Sequence, residues 1–447
     1  MKLEGKSLKS DFLRFIIPSL VAQWVYAFYT MIDGLFVARG VSEMALSAVN
    51  IAMPFVTFIF SVALTFSVGS STIIAIHLGE GNKKKAQEVF TQNILTVCII
   101  SILISISVFF GVEKLAAFLG SGAETHTNVC TYLVTIAMFS ISFIISYSLE
   151  VLIKTDGYPV KTTIIVTLGC VLNCILDFLF VIVFHKGVWG AAFATGLSQF
   201  VVVLLYMVHF LGKKTNMKLV RFRFDIKLFF RTLRIGLASG VTEFSAGIVI
   251  FLFNHYITKY LGEAYIASYT VVSYISTIAV MSMAGISQGI QPLVSYYYGK
   301  KVQAKCKKLL QYALFAGSIL SVVFFAASYL LAEPLASIFI SEDLVLLRQE
   351  TITAFYAFSW SFLLCGYNVI LGGYFTSLEY PVSAMAISLG RGLIFVAISL
   401  IILTTIFGKD GLWWASTMSE TLCLILTVFL YLRNFKWKSN QIRIDYT

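Results

Sequence analysis

Long apolar runs recur along the whole chain and constrain its fold more than any other feature. Twelve runs have about the 20 mostly apolar residues that an α-helix needs to cross a bilayer, and none shows the alternation of a membrane β-barrel. Only 12% of the 447 residues are charged, which is too few to cover a water-soluble globule of this size. We therefore predict an all-α integral membrane protein. Its predicted spans are residues 13–37, 49–75, 89–111, 129–153, 162–184, 191–211, 235–258, 266–296, 309–331, 351–376, 382–406 and 412–432.

The basic residues lie on one side of this arrangement. With twelve spans, both termini share a side with the loops that follow even-numbered spans, and these regions hold 26 of the 33 Lys and Arg residues, whereas the opposite loops hold 6. Because Lys and Arg concentrate in cytoplasmic loops, we predict a multi-pass protein of the cell membrane with both termini in the cytoplasm. The first run lacks a small-residue cleavage site, so we expect a retained helix and not a signal peptide.

The two halves of the chain follow one plan. Polar, glycine and proline positions recur in the same order about 220 residues apart. The matching pairs include Arg14 with Arg234, Ser67 with Ser287, Gly79 with Gly299, and Tyr158-Pro159 with Tyr380-Pro381. This repeat predicts two pseudo-symmetric six-helix bundles, 1–211 and 234–447, joined by a basic cytoplasmic linker at 212–233. Since six spans is an even number, both halves enter the bilayer in the same sense, as in transporters with a central cavity.

Four short motifs occur in the same order as in one family of membrane transporters. They are Pro18 … Tyr29-x3-Asp33-Gly34, Gly79-Glu80-Gly81-Asn82, Asn173-x3-Asp177 and Gln291-Pro292 … Tyr298-Gly299. In this order the chain resembles the multidrug and toxic compound extrusion (MATE) family, in particular its multidrug-export branch. The resemblance implies a V-shaped antiporter that exports amphipathic, often cationic drugs by alternating access, driven by inward movement of H+ or Na+.

Two aspartates inside predicted spans form the candidate coupling site. A charge at the centre of a spanning helix costs about 2.5–3.5 kcal/mol, so a retained charge usually faces a cavity or a partner. Asp33 and Asp177 lie near the outer ends of the first and fifth spans, with Asn173 one turn from Asp177. Two carboxyls in one low-dielectric pocket cannot both ionise cheaply, so the pair could exchange a proton or, with Asn173, coordinate Na+. The resemblance adds Thr195 and Tyr132 to this site; alternatively, one Asp only caps a helix or pairs locally.

Three further acids are candidates for a second carboxylate or substrate site. Glu243 lies in the inner half of the seventh span and Glu420 in the outer half of the last. The resemblance implies that an acid in the seventh span serves as a cation or substrate site, but neighbouring Ser, Thr or Arg391 could instead satisfy either carboxylate. Glu150 departs from the Asn common in the family. It either pairs with Lys154 at i,i+4 spacing or faces the bundle cavity as a third titratable carboxyl.

The expected cargo and partners follow from the same composition. Gln23 and Tyr29 lie on the first span near Asp33, and we interpret them as cavity residues. Aromatic faces, drawn from 39 Phe and 22 Tyr residues, can hold flat organic cations by cation–π contacts. We therefore expect small-molecule drugs and the lipid bilayer as partners, no nucleic acid, and a chain that acts as a monomer. The sequence contains no HExxH spacing and no Walker A motif, so we predict no metal beyond Na+, no cofactor and no enzymatic activity.

Two other functions remain open at this point. A lipid-linked oligosaccharide flippase of the wider superfamily would carry a strongly cationic cavity for pyrophosphate, whereas the acids outnumber the cations inside the predicted spans. A membrane-embedded transferase would need a nucleophile or a His/Asp constellation, and we find none. A major-facilitator transporter expects an Asp-Arg pair in the loop after the second span, where this chain has Gly79-Glu80-Gly81-Asn82.

Overall fold

The computed structural model describes the backbone of residues 7–40, 43–212 and 215–444, and their side chains apart from those of residues 31, 33–40, 43–46 and 436–444. All regular structure in this part of the chain is helical. The α-helices, in chain order, are α1 (Leu8–Gly40), α2 (Glu43–Gly79), α3 (Lys83–Phe118), α4 (His126–Met138), α5 (Ser140–Asp156), α6 (Pro159–Asp177), α7 (Gly187–Leu211), α8 (Ile226–Tyr260), α9 (Ile266–Gly299), α10 (Gln303–Leu330), α11 (Ala332–Phe339), α12 (Val345–Ser377), α13 (Pro381–Leu389), α14 (Phe395–Phe407), α15 (Lys409–Leu412) and α16 (Ala415–Ile444).

The number of helices that can span a bilayer agrees with the apolar runs. Eleven helical segments of the described chain are long and apolar enough, and the bent pair α4–α5 makes twelve if it is counted as one span. The predicted all-α membrane fold is therefore confirmed. Several helices extend beyond the apolar runs: α8 begins at Ile226, nine residues before the predicted start at 235. The eight-residue helix α11 is absent from the prediction because it is too short to produce a spanning run.

The helices group into two compact units that differ from the predicted halves. The first unit contains residues 1–244, 288–309 and 377–379, so it includes the start of α8 and the end of α9 as well as α1–α7. Inside it, α2 packs against α3 and α5, and α6 packs against α1 and α7. In α2, small side chains at Ala63, Ser67 and Ser71 are completely buried, which lets the neighbouring helices approach closely. The predicted boundaries of the two six-helix bundles, at 211 and 234, stay a prediction.

Glycines form the contact between α2 and α8. A Cβ atom on Gly236 would lie 1.7 Å from the carbonyl oxygen of Thr65, and one on Gly69 would lie 2.1 Å from the carbonyl oxygen of Thr232. The hydroxyl of Ser61 donates to the Gly240 carbonyl at 2.8 Å in the same contact. Because the two backbones touch, no larger residue fits at Gly236 or Gly69 without separating the helices.

The predicted fourth span is broken by 49° between α4 and α5. A serine hydroxyl from α3 explains the break: Ser105 donates to the Ala137 carbonyl at 2.6 Å and lies 2.8 Å from the Ser140 hydroxyl. Sharp bends occur where such a side chain enters the hydrogen-bond ladder of a helix. Phe139 lies at the bend and packs where Gly196 of α7 has no side chain, since a Cβ there would be 2.2 Å from the ring.

The described part of each unit contains one π-helical turn, in the helix that begins with the repeated Tyr-Pro-Val motif. In the first unit the turn Phe178–Val183 continues α6 directly after Asp177. In the second unit the turn Gly390–Ile394 joins α13 to α14 and contains Arg391. A π-turn inserts an extra residue into the helix and is frequent at functional sites. Here the turns lie beside the charged residues of the two units.

The connection from α7 to α8 is held against the end of α5. Asp156, the last residue of α5, is fully buried and accepts hydrogen bonds from His209 Nε2 at 3.0 Å and from the Thr215 hydroxyl at 2.8 Å. The backbone and side-chain amides of Asn216 also donate to it, at 3.1 and 2.9 Å. The last part of the predicted linker, 226–233, belongs to α8. We call the end of the first unit that is formed by residues 80–82, 156–158 and 215–225 the basic end.

The second unit has an aromatic core. Phe253 of α8 stacks on Tyr269 of α9 with 4.8 Å between the ring centroids and also contacts Phe358 of α12. Trp413 is 1% exposed, and its indole N–H donates to the Glu350 carboxylate at 2.7 Å. Outside this core, α14 packs along α16.

Candidate cation and substrate sites

Four predicted residues come together in the first unit at the end of α6. Asn173 and Asp177 are both 1% exposed, one turn apart on α6. With the Asn173 amide assigned so that its nitrogen faces acceptors, that nitrogen lies 2.9 Å from Asp177 Oδ2 and 3.3 Å from the Tyr29 hydroxyl, and its oxygen accepts from the Thr195 N–H at 3.2 Å. The Thr195 hydroxyl donates to the Ala191 carbonyl at 3.0 Å, which holds it toward its own helix. We call Tyr29, Asn173, Asp177 and Thr195 the Asp177 site.

The remaining two members of the predicted coupling set lie differently. Asp33 falls in α1, one turn beyond Tyr29, but its side chain lies outside the described residues. Tyr132 of α4 is 9% exposed and belongs to a hydrophobic core that also contains Val188 and Ala192 of α7. Tyr132 therefore packs near α7, the helix that carries Thr195.

A second polar group in the first unit is built around Glu150. The carboxylate is 2% exposed; its Oε1 accepts from Lys154 Nζ at 2.7 Å and its Oε2 from the Tyr26 hydroxyl at 2.8 Å. Of the two arrangements open from the sequence, the ion pair with Lys154 is therefore present, and it is buried inside the protein. Both carboxylate oxygens have a donor, which a buried charge requires.

The other two candidates of the first unit lie near Tyr147, one turn before Glu150. Gln23 Nε2 donates to Gln288 Oε1 at 3.1 Å, and the Gln288 side chain hydrogen-bonds Tyr147. Tyr147 also lies within electrostatic range of Glu150 and of Glu243. Unlike Glu150, Glu243 has an exposed side chain. Its side chain is thus not enclosed like that of Glu150, whose carboxylate is already paired.

Helix α1 contacts both carboxylate groups through one face. Tyr26 and Tyr29 are three residues apart and therefore lie on the same side of the helix. Tyr26 donates to Glu150, and Tyr29 lies beside the Asn173 amide that holds Asp177. A change in the charge of either carboxylate therefore alters a contact of the same helix, α1.

In the second unit Glu420 is fully paired. Its Oε1 accepts from Arg391 Nε at 2.8 Å and its Oε2 from Asn368 Nδ2 at 2.7 Å. The Thr427 hydroxyl donates to the Asn368 oxygen at 3.1 Å and fixes the orientation of that amide. The π-turn directs Arg391 toward α16, where Glu420 lies. The contact with Arg391, one of the two arrangements that the sequence left open, is the one present.

Sequence reasoning did not single out Asn368 and Tyr26. Both lie well inside long apolar helices, where a polar residue must find a partner. A search for all polar side chains inside the predicted spans, and not only for charges, would have identified them.

Comparisons with known proteins give one consistent result. The family model MatE matches residues 18–179 and 239–403, once in each half of the chain. The multidrug export protein MepA of Staphylococcus saprophyticus is 22% identical over 429 residues, covering 96% of this chain and 94% of that protein. MepA of Staphylococcus aureus strain NCTC 8325 is 21% identical, covering 94% and 92%.

Solved structures share the fold over nearly the whole chain. An outward-facing conformation of a multidrug resistance MATE family transporter of the MOP superfamily has a TM-score of 0.91 at 21% identity, covering 97% of this chain and 98% of that one. A MOP superfamily transporter from Pyrococcus furiosus with a binding pocket of reverse polarity has a TM-score of 0.89 at 22% identity, with the same coverage.

Proposed function

The chain belongs to the MatE family, and on that basis we propose that it is a cation-coupled antiporter that exports amphipathic, often cationic drugs by alternating access. The names of its curated relatives support drug export. One observation carries the coupling role: Asp177 is a buried carboxylate held by the neutral amide of Asn173, beside Tyr29 of α1. We place the protein in the cell membrane with both termini in the cytoplasm, because the basic residues lie on that side.

The proposed cycle uses the charge of the Asp177 site. From the outside, H+ or Na+ reaches Asp33 and Asp177 and neutralises them, which removes their mutual repulsion. Helix α1 then changes its contacts through Tyr29, and the drug leaves outward. After the transporter turns inward, the cation dissociates and a new drug binds. The cation can shift this equilibrium only because its affinity differs between the two states.

The pairing of the three candidate acids, Glu150, Glu243 and Glu420, suggests where cargo binds. Glu420 is neutralised by Arg391 and Glu150 by Lys154, so neither offers a free charge to an organic cation. The exposed carboxylate of Glu243 near Tyr147 does offer one, together with an aromatic ring. We assign Glu243 to cargo recognition. The paired state of Lys154 and Arg391 also disfavours a flippase for lipid-linked pyrophosphates, which would need unpaired buried cations.

The test is ethidium efflux from cells that express the protein, repeated in vesicles at fixed membrane potential with either a pH or a Na+ gradient. We expect Asp33→Asn and Asp177→Asn to reduce gradient-driven efflux to the level of cells without the protein, at unchanged expression. Glu124→Gln, an exposed acid in the loop before α4, is the matched control and keeps full efflux. Wild-type efflux in both aspartate variants would remove the Asp177 site from the mechanism.

A further inference from the structure

The segment between α7 and α8 exposes apolar and basic side chains next to one another. From Lys218 to Phe230 exposed cations and exposed large apolar side chains are interspersed along the chain, a combination typical of membrane-surface segments. The exposed cations are Lys218, Arg221, Arg223 and Lys227, and the exposed apolar residues are Leu219, Phe224, Ile226 and Phe230. We call these eight side chains the linker surface.

The charges of the linker surface are not neutralised by the protein. Among the described residues, none of its four cations forms an ion pair, whereas the following Arg231 is bound to Glu379 at 2.6 Å. The one acid in the segment, Asp225, is used by the backbone: its Oδ1 accepts from the N–H groups of Lys227 and Leu228 at 2.9 and 3.2 Å and so caps α8. The surface therefore keeps a positive charge that an anionic partner can meet.

The backbone of the segment is fixed to α3. The Thr91 hydroxyl accepts from the N–H of Val220 at 3.1 Å, and the Gln92 side chain exchanges two hydrogen bonds with the backbone of Asp225, at 2.8 and 3.0 Å. Gln87 donates to the Asn216 carbonyl at 2.9 Å. The linker surface is thus presented by a folded scaffold, and a ligand need not pay for ordering the chain.

The location of the segment favours one kind of partner. It extends from the loop after α7 into the first turn of α8, so it adjoins two helices that are long and apolar enough to span a bilayer. We propose that the linker surface is a binding site for anionic phospholipid. The cations bind the phosphate headgroups, and Phe224 and Phe230 reach the acyl region beside them. Basic clusters directly next to a spanning helix bind anionic lipids in this way.

The experiment measures lipid binding and not transport, so its result is independent of the proposed efflux function. The full-length protein is purified without lipid in an uncharged detergent and titrated with phosphatidylglycerol or phosphatidylcholine, while the thermal unfolding midpoint is followed. A ligand that binds only the folded state raises this midpoint with concentration. We expect phosphatidylglycerol to raise it and phosphatidylcholine to have little effect, and we expect 0.5 M NaCl to remove most of the difference.

Two variants with the same loss of charge locate the site. The linker variant replaces Lys218, Arg221, Arg223 and Lys227 by Gln. The control variant replaces Lys83, Lys84, Lys307 and Lys308, exposed lysines at the starts of α3 and α10, by Gln. Each surface cation contributes about fivefold in affinity, so even after screening the linker variant should bind phosphatidylglycerol at least ~10-fold more weakly, while the control stays close to wild type.

Several outcomes would overturn the proposal. An equal loss in both variants would mean general attraction to the basic end, and wild-type affinity in the linker variant would exclude the site. Glycerol 1-phosphate that reproduced the effect would indicate a soluble phosphate, and a poly-glutamate peptide that did so would indicate an acidic protein. If the linker variant does not fold, two other measurements decide: phosphatidylglycerol binding by the double variant Phe224→Ser with Phe230→Ser, and phosphatidylglycerol binding by the wild type in 0.5 M NaCl. Wild-type affinity in the double variant together with salt-independent binding by the wild type contradicts a membrane-surface site.

Discussion

The ion pair between Lys154 and Glu150 permits a quantitative test of the first unit. Both side chains are almost completely buried, at 4% and 2% exposure, and 2.7 Å separates Nζ from Oε1. Lys154→Met keeps the length and apolar character of the side chain but removes its charge. Among the described residues, Glu150 is then a buried carboxylate with one remaining donor, the Tyr26 hydroxyl. Removing one partner of a buried pair typically costs 3–5 kcal/mol, and we expect Lys154→Met to lower the free energy of unfolding by about that amount.

A second substitution should restore most of the loss. In the double variant Glu150→Gln with Lys154→Met no charge is buried, and the Gln oxygen still accepts from Tyr26. Pairs replaced in this way are often neutral in stability, so the double variant should lie within about 1 kcal/mol of the wild type. The measurement is unfolding by SDS in mixed micelles, followed by circular dichroism. Lys114→Met, an exposed lysine on α3, is the control and should change stability by less than about 0.5 kcal/mol.

The two results together test the burial argument. If Lys154→Met were as stable as Lys114→Met, the pair would be solvated and the assignment of a buried, occupied carboxylate to Glu150 would be wrong. If the double variant were as unstable as the single one, Lys154 would act through packing and not through its charge.

Two further predictions follow from the site and the fold. Glu243→Gln should reduce efflux of monovalent cationic drugs several-fold more than efflux of neutral ones, measured as a substrate profile in whole cells; an unchanged profile would contradict the cargo role. Gly236→Ala should destabilise the protein by at least about 1–3 kcal/mol, because its Cβ would overlap the Thr65 carbonyl in the contact between α2 and α8. Gly247→Ala on the same helix, where a Cβ meets nothing within 4 Å, is its control in SDS unfolding.

The sequence predicted the helices well because bilayer thickness imposes a minimum apolar length, which hydropathy detects directly. It did not predict the bend at Phe139, since that depends on Ser105 of another helix reaching the Ala137 carbonyl. The π-turns after Asp177 and around Arg391 were missed for a similar reason: no residue type marks them. Hydropathy also placed the start of α8 too late, because its first turns contain Lys227, Arg231 and Arg234, which lower the mean hydropathy there.

The candidate sites show the same limit. The Asn173–Asp177 contact follows from spacing on one helix, and the family resemblance supplied Thr195. The Lys154–Glu150 pair was also visible as an i,i+4 pair, but its burial was not, because burial depends on how α5 packs against α2 and α7. Asn368, which holds Glu420, lies 52 residues from it in the chain, and no local pattern links the two.

The carboxylates of Glu150 and Asp177 differ in the groups that surround their charge. This difference bears on where the proposed cation coupling occurs. At Glu150 the cation is supplied by the protein itself, since Lys154 is attached four residues away and does not leave. An incoming H+ or Na+ must compete with that ammonium group. At Asp177 the described donor is the neutral amide of Asn173, which stabilises a carboxylate without neutralising it. Because an incoming cation must displace an ammonium group at Glu150, we keep Asp177, and not Glu150, as the proposed coupling carboxylate. Helix α1 contacts both groups through Tyr26 and Tyr29, so in the proposed cycle the Glu150 contact would hold the helix in place while the Asp177 contact changes with the bound cation.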